Sequence, residues 1–146
     1  MTSRPFVVMP KDRDRPLNVV GEQITVLASG ARTGSYEIFL QRGPAGSGPP
    51  PHSHDWVESF YVTSGRLEFG LADRTMTGTP GTLVHVPAGT THWFRFTEDG
   101  EMISMTSREG ASRFFADVDR EVPPEKPQGI VAVATRHGLK VEAGKT

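Results

Sequence analysis

The sequence predicts an all-β domain of antiparallel strands, folded as a sandwich or small barrel, with a short helical extension at its C-terminal end. Three observations carry this. Short runs rich in Val, Ile, Phe, Tyr and Thr succeed one another from Leu17 onward. Glycine and proline are plentiful, 16 and 12 in 146 residues, and they fall between the runs, as tight turns require. After Ser107 the apolar period changes from two to three and four, the mark of one helical face.

Taken in order, residues 1–16 are polar and proline-punctuated and read as an N-terminal arm. Strands are expected near Gln23–Ala28, Ser35–Gln41, Trp56–Thr63, Leu67–Ala72, Arg74–Gly78, Leu83–Val86, Thr91–Phe96 and Met102–Thr106. Ser29-Gly30, Arg42-Gly43-Pro44, Ser64-Gly65, Pro80-Gly81, Pro87-Ala88-Gly89 and Glu98-Asp99-Gly100 supply the turns. Residues Gly43–Pro51 form a Gly/Pro-rich loop. Ala111, Phe114, Phe115, Val118 and Val122 line one helix face, which Pro123-Pro124 ends. A second helical stretch is expected over Gln128–His137, with Gly138 just past its end. The chain divides into an arm (1–16), a barrel (17–108) and a helical extension (109–146).

Composition excludes several classes. Sixteen Lys+Arg against 17 Asp+Glu give a net charge of −1. This argues against a nucleic-acid-binding surface or a polybasic membrane patch. The charges from Lys11 to Arg15 read as a solvated tail. There is no cysteine, so neither a disulfide framework nor a thiolate ligand exists, as suits a cytoplasmic protein. The apolar patch Phe6–Met9 is too short for a signal segment or a membrane span. No Ser-His-Asp arrangement, phosphate-cradling glycine loop or basic-aromatic strip is evident.

Two segments carry chemistry. One runs Gly46-x5-His52-x-His54-x3-Glu58-x6-Gly65, the other Gly81-x5-Pro87-x-Gly89-x2-His92. Three of the five histidines fall in them. Alternation along a strand puts His52 and His54 on one side. Glu58 shares their parity, yet four extended residues span about 13 Å, while metal–ligand bonds are only about 2 Å long. Glu58 therefore joins the histidines only if the chain bends near Asp55-Trp56. His92 must arrive from another strand, redirected by Pro87-Ala88-Gly89. Three neutral imidazoles and a carboxylate suit one divalent transition metal: iron, manganese, nickel, cobalt, copper or zinc.

Both segments resemble the two motifs of the cupin superfamily. The one departure is Phe96, where the cupin pattern usually has Asn. The stretches Pro50–His54 and Glu58–Gly65, with Arg113-Phe114-Phe115 and Arg136-His137-Gly138, are similar to small single-domain bacterial cupins of the quercetin-dioxygenase type. The resemblance implies an antiparallel jelly-roll (cupin) barrel with a metal inside. It also implies frequent dimerisation and an oxygen-dependent or isomerising activity.

The remaining aromatic and apolar residues suggest a ligand. Strand parity puts Tyr36, Ile38, Leu40, Phe60, Val62, Leu67, Phe69, Phe94 and Phe96 inward, and Phe39, Tyr61 and Trp93 outward. Tyr36, Ile38, Phe60, Phe94 and Phe96 are thus candidate substrate-binding residues for a small apolar or aromatic molecule. Ordinary core is the competing reading. Glu58 is a ligand and also a candidate general base. His85 reads as an exposed strand histidine and His137 as a helix-end cation. The outward rings point to a homodimer through the outer sheet. The expected function is a metal-dependent dioxygenase acting on an enol or phenol. The alternatives are an isomerase, lyase or hydrolase of a small carbonyl compound, or a ligand-binding cupin without catalysis.

Overall fold

A computed structural model describes residues 3–108 and 110–142. The parts of the expected arm and extension at 1–2, 109 and 143–146 lie outside the described residues. Two antiparallel sheets face each other as a jelly-roll barrel. The first has six strands: β1 (Leu17–Val19), β2 (Glu22–Ala28), β3 (Glu37–Gly43), β10 (Gly100–Thr106), β5 (Glu58–Ser64) and β8 (Leu83–Val86), in that spatial order. The second has five: β11 (Lys140–Val141), β4 (His52–Ser53), β9 (His92–Phe96), β6 (Leu67–Leu71) and β7 (Arg74–Gly78). The three strands not foreseen, β1, β4 and β11, have only two or three residues. Such pieces are too short to show a period and form only because a neighbouring strand offers them hydrogen bonds.

A four-residue helix α1 (Gly30–Thr33) interrupts the β2–β3 connection and ends on Gly34 in the left-handed conformation. Helices α2 (Ala111–Glu121) and α3 (Ile130–Arg136) follow the barrel. They bury the foreseen stripe of Ala111, Phe114, Val118 and Val122, and α3 adds Ile130, Val133 and Ala134. Gly138 turns the chain at φ 81° after α3, which lets Leu139 reach the core and β11 pair with β4. Buried Glu37 on β3 anchors the start of α2. Its carboxylate accepts from the Ser112 N–H at 2.9 Å, from the Ser112 hydroxyl, and from the Gly30 N–H at 2.8 Å. His137 meets Asp117 at 2.7 Å, which ties the end of α3 to α2.

The apolar interior forms two clusters. One, of Phe60, Val62, Leu67, Phe69, Val84, Val86, Phe94, Phe96 and Met102, fills one end of the barrel. The other includes Ile24, Phe39, Trp56, Phe114, Val118 and Leu139 and joins the helices to the open end.

Strand parity corrects part of the sequence reading. On β3 the inward residues are Glu37, Phe39 and Gln41, all at most 2% exposed. They pair with inward Thr106, Ser104 and Met102. Phe39 is therefore interior, edge-on to Phe115 at 5.1 Å. Ile38 and Leu40 lie on the outer face opposite Met105 and Ile103, and Tyr36 precedes the strand and is exposed. The cause is chemical: an inward row carrying a glutamate and a glutamine looks solvent-facing by hydropathy, and its outer row of Ile and Leu looks internal. Tyr61 does lie on the outer face, with Leu83, Ile103 and Met105, all exposed. Trp93 is half-buried against Gly70, where any Cβ would fall 1.9 Å from its Nε1.

Candidate metal centre and its cavity

The Gly/Pro-rich loop before His52 is stitched to β9. The Gly46 N–H donates to the Phe96 carbonyl at 2.7 Å, and the Phe96 N–H to the Ser47 carbonyl at 2.8 Å. Gly48, at φ 150°, passes so close that a Cβ would lie 2.0 Å from the Phe94 carbonyl oxygen, so only glycine permits this approach. The loop therefore delivers His52 directly opposite His92 in the β4–β9 pair. The chain then bends through Asp55 and Trp56 and crosses to the other sheet, where Glu58 opens β5. The expected kink is present, and it is a change of sheet.

The three imidazoles are oriented alike. His52 Nδ1 donates to the Pro50 carbonyl at 2.8 Å, His54 Nδ1 to the Trp56 carbonyl at 3.0 Å, and His92 Nδ1 to the Thr90 carbonyl at 2.8 Å. A carbonyl only accepts, so each Nδ1 carries a proton and Nε2 is the ring atom left free to meet a ligand or ion. One ring nitrogen from each histidine lies within 4.8 Å of the others. Glu58 Oε1 lies 3.2 Å from His54 Nε2 and 3.5 Å from His92 Nε2. His54, Glu58 and His92 are buried, and His52 is half-buried. Trp56 stacks on His54 at 4.3 Å and 10° and fixes its ring.

Electrostatics matches that arrangement. Desolvation pushes the His52 pKa down to about 3, helped by the nearby His92. Burial alone would raise Glu58, but hydrogen bonding and charge from His54 and His92 outweigh it and hold the carboxyl at about 2. Buried His92 Nε2 has no hydrogen-bond partner among the described residues. Three imidazole nitrogens gathered within 4.8 Å of one another beside a buried carboxylate are the donor set of a cation site, so the His52, His54 and His92 group fits a divalent metal.

Beside it lies a cavity of about 60 Å³. His52, His54 and Glu58 form one side, and Trp56, Phe94, Pro49 and Pro50 continue it. Val19, Ile24, Phe114, Phe115, Ile130 and Leu139, drawn from β1, β2 and the C-terminal helices, close it. Of the candidate substrate residues only Phe94 lines this space. Phe60 and Phe96 are buried in the other core cluster, and Tyr36 and Ile38 are on or near the outer face. The aromatics fill the closed end of the barrel because the helices, unseen by strand parity, leave the cavity on the opposite side of the histidines. Phe96 occupies room left by two glycines: a Cβ on Gly43 would come within 2.5 Å of its ring and one on Gly100 within 3.2 Å. His85 is exposed and meets Ser59 at 3.0 Å, away from the site.

Two cavity residues were missed by sequence reading, Glu22 and Gln41. Glu22 is 2% exposed. Burial, and then the Glu58 charge, push its carboxyl up to about 8. The available signal was strand parity with Ile24, masked by the charge of the residue itself.

Comparisons with known proteins agree with this geometry. The Cupin domain family matches residues 39–106. Quercetin 2,3-dioxygenase from Bacillus subtilis (strain 168) is 30% identical over 94 residues, covering 62% of this chain and 27% of that protein. The chain thus spans about a quarter of the length of the curated relative it matches. Among solved structures, KdgF from Halomonas sp. superposes with a TM-score of 0.68 at 20% identity, covering 75% of this chain and 99% of that one. A cupin-superfamily sugar phosphate isomerase from Silicibacter pomeroyi DSS-3 superposes with a TM-score of 0.60 at 20% identity, covering 71% and 76%. With both motifs placed on a jelly-roll barrel and their histidines gathered inside it, this chain has the cupin fold, and its residues 39–106 match the Cupin domain family.

Proposed function

We propose that the protein is a metal-dependent enzyme of the dioxygenase type acting on a small enolisable compound, with His52, His54, Glu58 and His92 as metal ligands. The observation that carries this is the gathering of His52, His54 and His92 beside the Glu58 carboxylate, with His52, His54 and Glu58 lining one wall of a largely apolar cavity. A bound divalent metal supplies Lewis acidity to a substrate oxygen there. The protein's own groups do the rest. The Nδ1 hydrogen bonds hold the imidazoles in register. Glu58, kept ionised, accepts the proton of the substrate hydroxyl. Phe114, Phe115, Ile130 and Leu139 exclude bulk water from the reacting centre.

The dioxygenase assignment is supported by the likeness to quercetin 2,3-dioxygenase, but the cavity is too small for a flavonol without opening. Sites for drug-sized ligands run to roughly 300–1,000 Å³, against about 60 Å³ here. A second reading, isomerisation of a small hydroxy-carbonyl compound, draws on that size and on the likeness to a sugar phosphate isomerase. Oxygen uptake by protein loaded with each candidate metal, offered small enediols, separates the two. Uptake above that of free metal supports the first. Turnover that persists under nitrogen supports the second, and no turnover of either kind sinks both.

The same reading includes a cytoplasmic homodimer through the outer face of the six-stranded sheet, where Tyr61, Leu83, Ile103 and Met105 are exposed together. A monomer by light scattering at micromolar concentration contradicts it.

A further inference from the structure

The cavity contains two buried polar atoms that metal binding leaves without a role. Glu22 Oε1 and Gln41 Oε1 have no hydrogen-bond partner among the described residues, although both residues line the cavity and each is 2% exposed. Their positions are set by the sheet. Ile24 pairs with Gln41 across β2 and β3, so Glu22, two residues away on the same face, is the diagonal neighbour of Gln41. The Gln41 Nε2 donates to Ser104 Oγ at 2.8 Å, which turns the amide oxygen away from that hydroxyl. Its oxygen is left facing the cavity as an acceptor. A buried acceptor without a donor is costly, and the cost is relieved when a ligand supplies one.

We propose that Glu22 and Gln41 are the substrate-recognition residues of this cavity, and that they select a small uncharged α-hydroxy carbonyl compound. The Glu22 carboxyl donates to the ligand's carbonyl oxygen, and Gln41 Oε1 accepts from its hydroxyl. The size of the space supports the class. A water needs roughly 10–15 Å³ of such volume, so about 60 Å³ suits a ligand of roughly five non-hydrogen atoms. The charge supports it too: among the described residues no lysine or arginine lines the cavity, while Glu22 and Glu58 both do, so a carboxylate or phosphate on the ligand is disfavoured. Burial in a cavity that offers it no basic side chain among the described residues favours the neutral form of the Glu22 carboxyl, and a neutral carboxyl is a donor where an ionised one is not. The inference rests on the cavity's being the substrate site beside a metal, and it names what that site reads.

The test is a titration of zinc-loaded protein with hydroxyacetone, acetone and glycolate, followed by NMR of the methyl groups lining the cavity. Metal content is measured separately on every sample. Wild type should bind hydroxyacetone about tenfold more tightly than acetone, with glycolate weakest. E22Q keeps a neutral donor and should bind hydroxyacetone within about threefold of wild type, whereas E22L should lose about tenfold. Q41L should erase the preference for hydroxyacetone over acetone. Equal affinities for the two ketones in wild type, unchanged hydroxyacetone binding in E22L, or tightest binding of glycolate would each overturn the assignment. If E22L does not fold, the wild-type ranking and E22Q decide alone: a tenfold loss in E22Q overturns the donor role. A wild type that holds no metal contradicts the proposed function. The same titration on metal-free protein still reads the two orphan oxygens, so the two failures remain distinct.

Discussion

His54 Nε2 and Glu58 Oε1 lie 3.2 Å apart inside the barrel, and the His54 ring donates its Nδ1–H to the Trp56 carbonyl at 3.0 Å. Two acceptors at that distance are held together only by a shared proton or a cation. A divalent metal added to metal-free protein should therefore raise the melting temperature. At a hundred times Kd the gain is about 2.7 kcal/mol, or roughly 5–10 °C for a domain of this size. Glu58→Ala should cut metal affinity by on the order of a hundredfold. Calorimetry with and without chelator, beside elemental analysis, reads both. A melt insensitive to metal and chelator contradicts the site.

Glu22 gives the metal-free protein an unusual pH response. Its folded value is about 8 against an ordinary 4.5. Between those values the folded chain holds a proton that the unfolded chain has released. The protonated carboxyl's contribution is thus complete below about pH 4.5 and is lost as pH rises towards 8. His52 and Glu58 act in the opposite sense. Their folded values, about 3 and about 2, lie below the ordinary 6.5 and 4.5, so their contributions are lost as pH falls through those windows. Glu22→Gln should therefore gain stability over wild type progressively between pH 5 and 9, as followed by urea melts. A constant difference across that range argues against a protonated Glu22.

Phe96 stands where the cupin pattern usually has Asn, and its ring fills the space over Gly43 and Gly100. Phe96→Asn should leave a void and an amide without partners, at a cost of about 3–5 kcal/mol. The metal content of the folded fraction should stay at the wild-type level, because Phe96 belongs to the cluster away from the cavity. Denaturant unfolding and metal analysis on one sample check both halves.

Glu37 joins β3 to the start of α2 through Ser112 and Gly30. Glu37→Ala strands buried donors and should cost about 2–4 kcal/mol. The loss should appear first as faster amide exchange in α2, the cover of the cavity. Uniformly faster exchange across the barrel would show instead that α2 has no separate opening motion.

What could be read from residues alone and what could not follow one physical division. The motif segments specify His52, His54, Glu58 and His92 by local features: alternation of faces, a bend demanded by bond lengths, and a turn that redirects a strand. The stripe from Ala111 to Val122 likewise gives its helix by period. The neighbours of those four residues were not legible. Whether Phe39 or Ile38 faces inward depends on which way β3 is turned against β10, and hydropathy pointed the wrong way because that inward row includes Glu37 and Gln41. Glu22 is enclosed by β1 and the C-terminal helices, which no local pattern around it announces. The candidate ligand residues are placed by covalent spacing within short segments, whereas a cavity is defined by surfaces brought together from distant parts of the chain, so only the tertiary structure decides what they face.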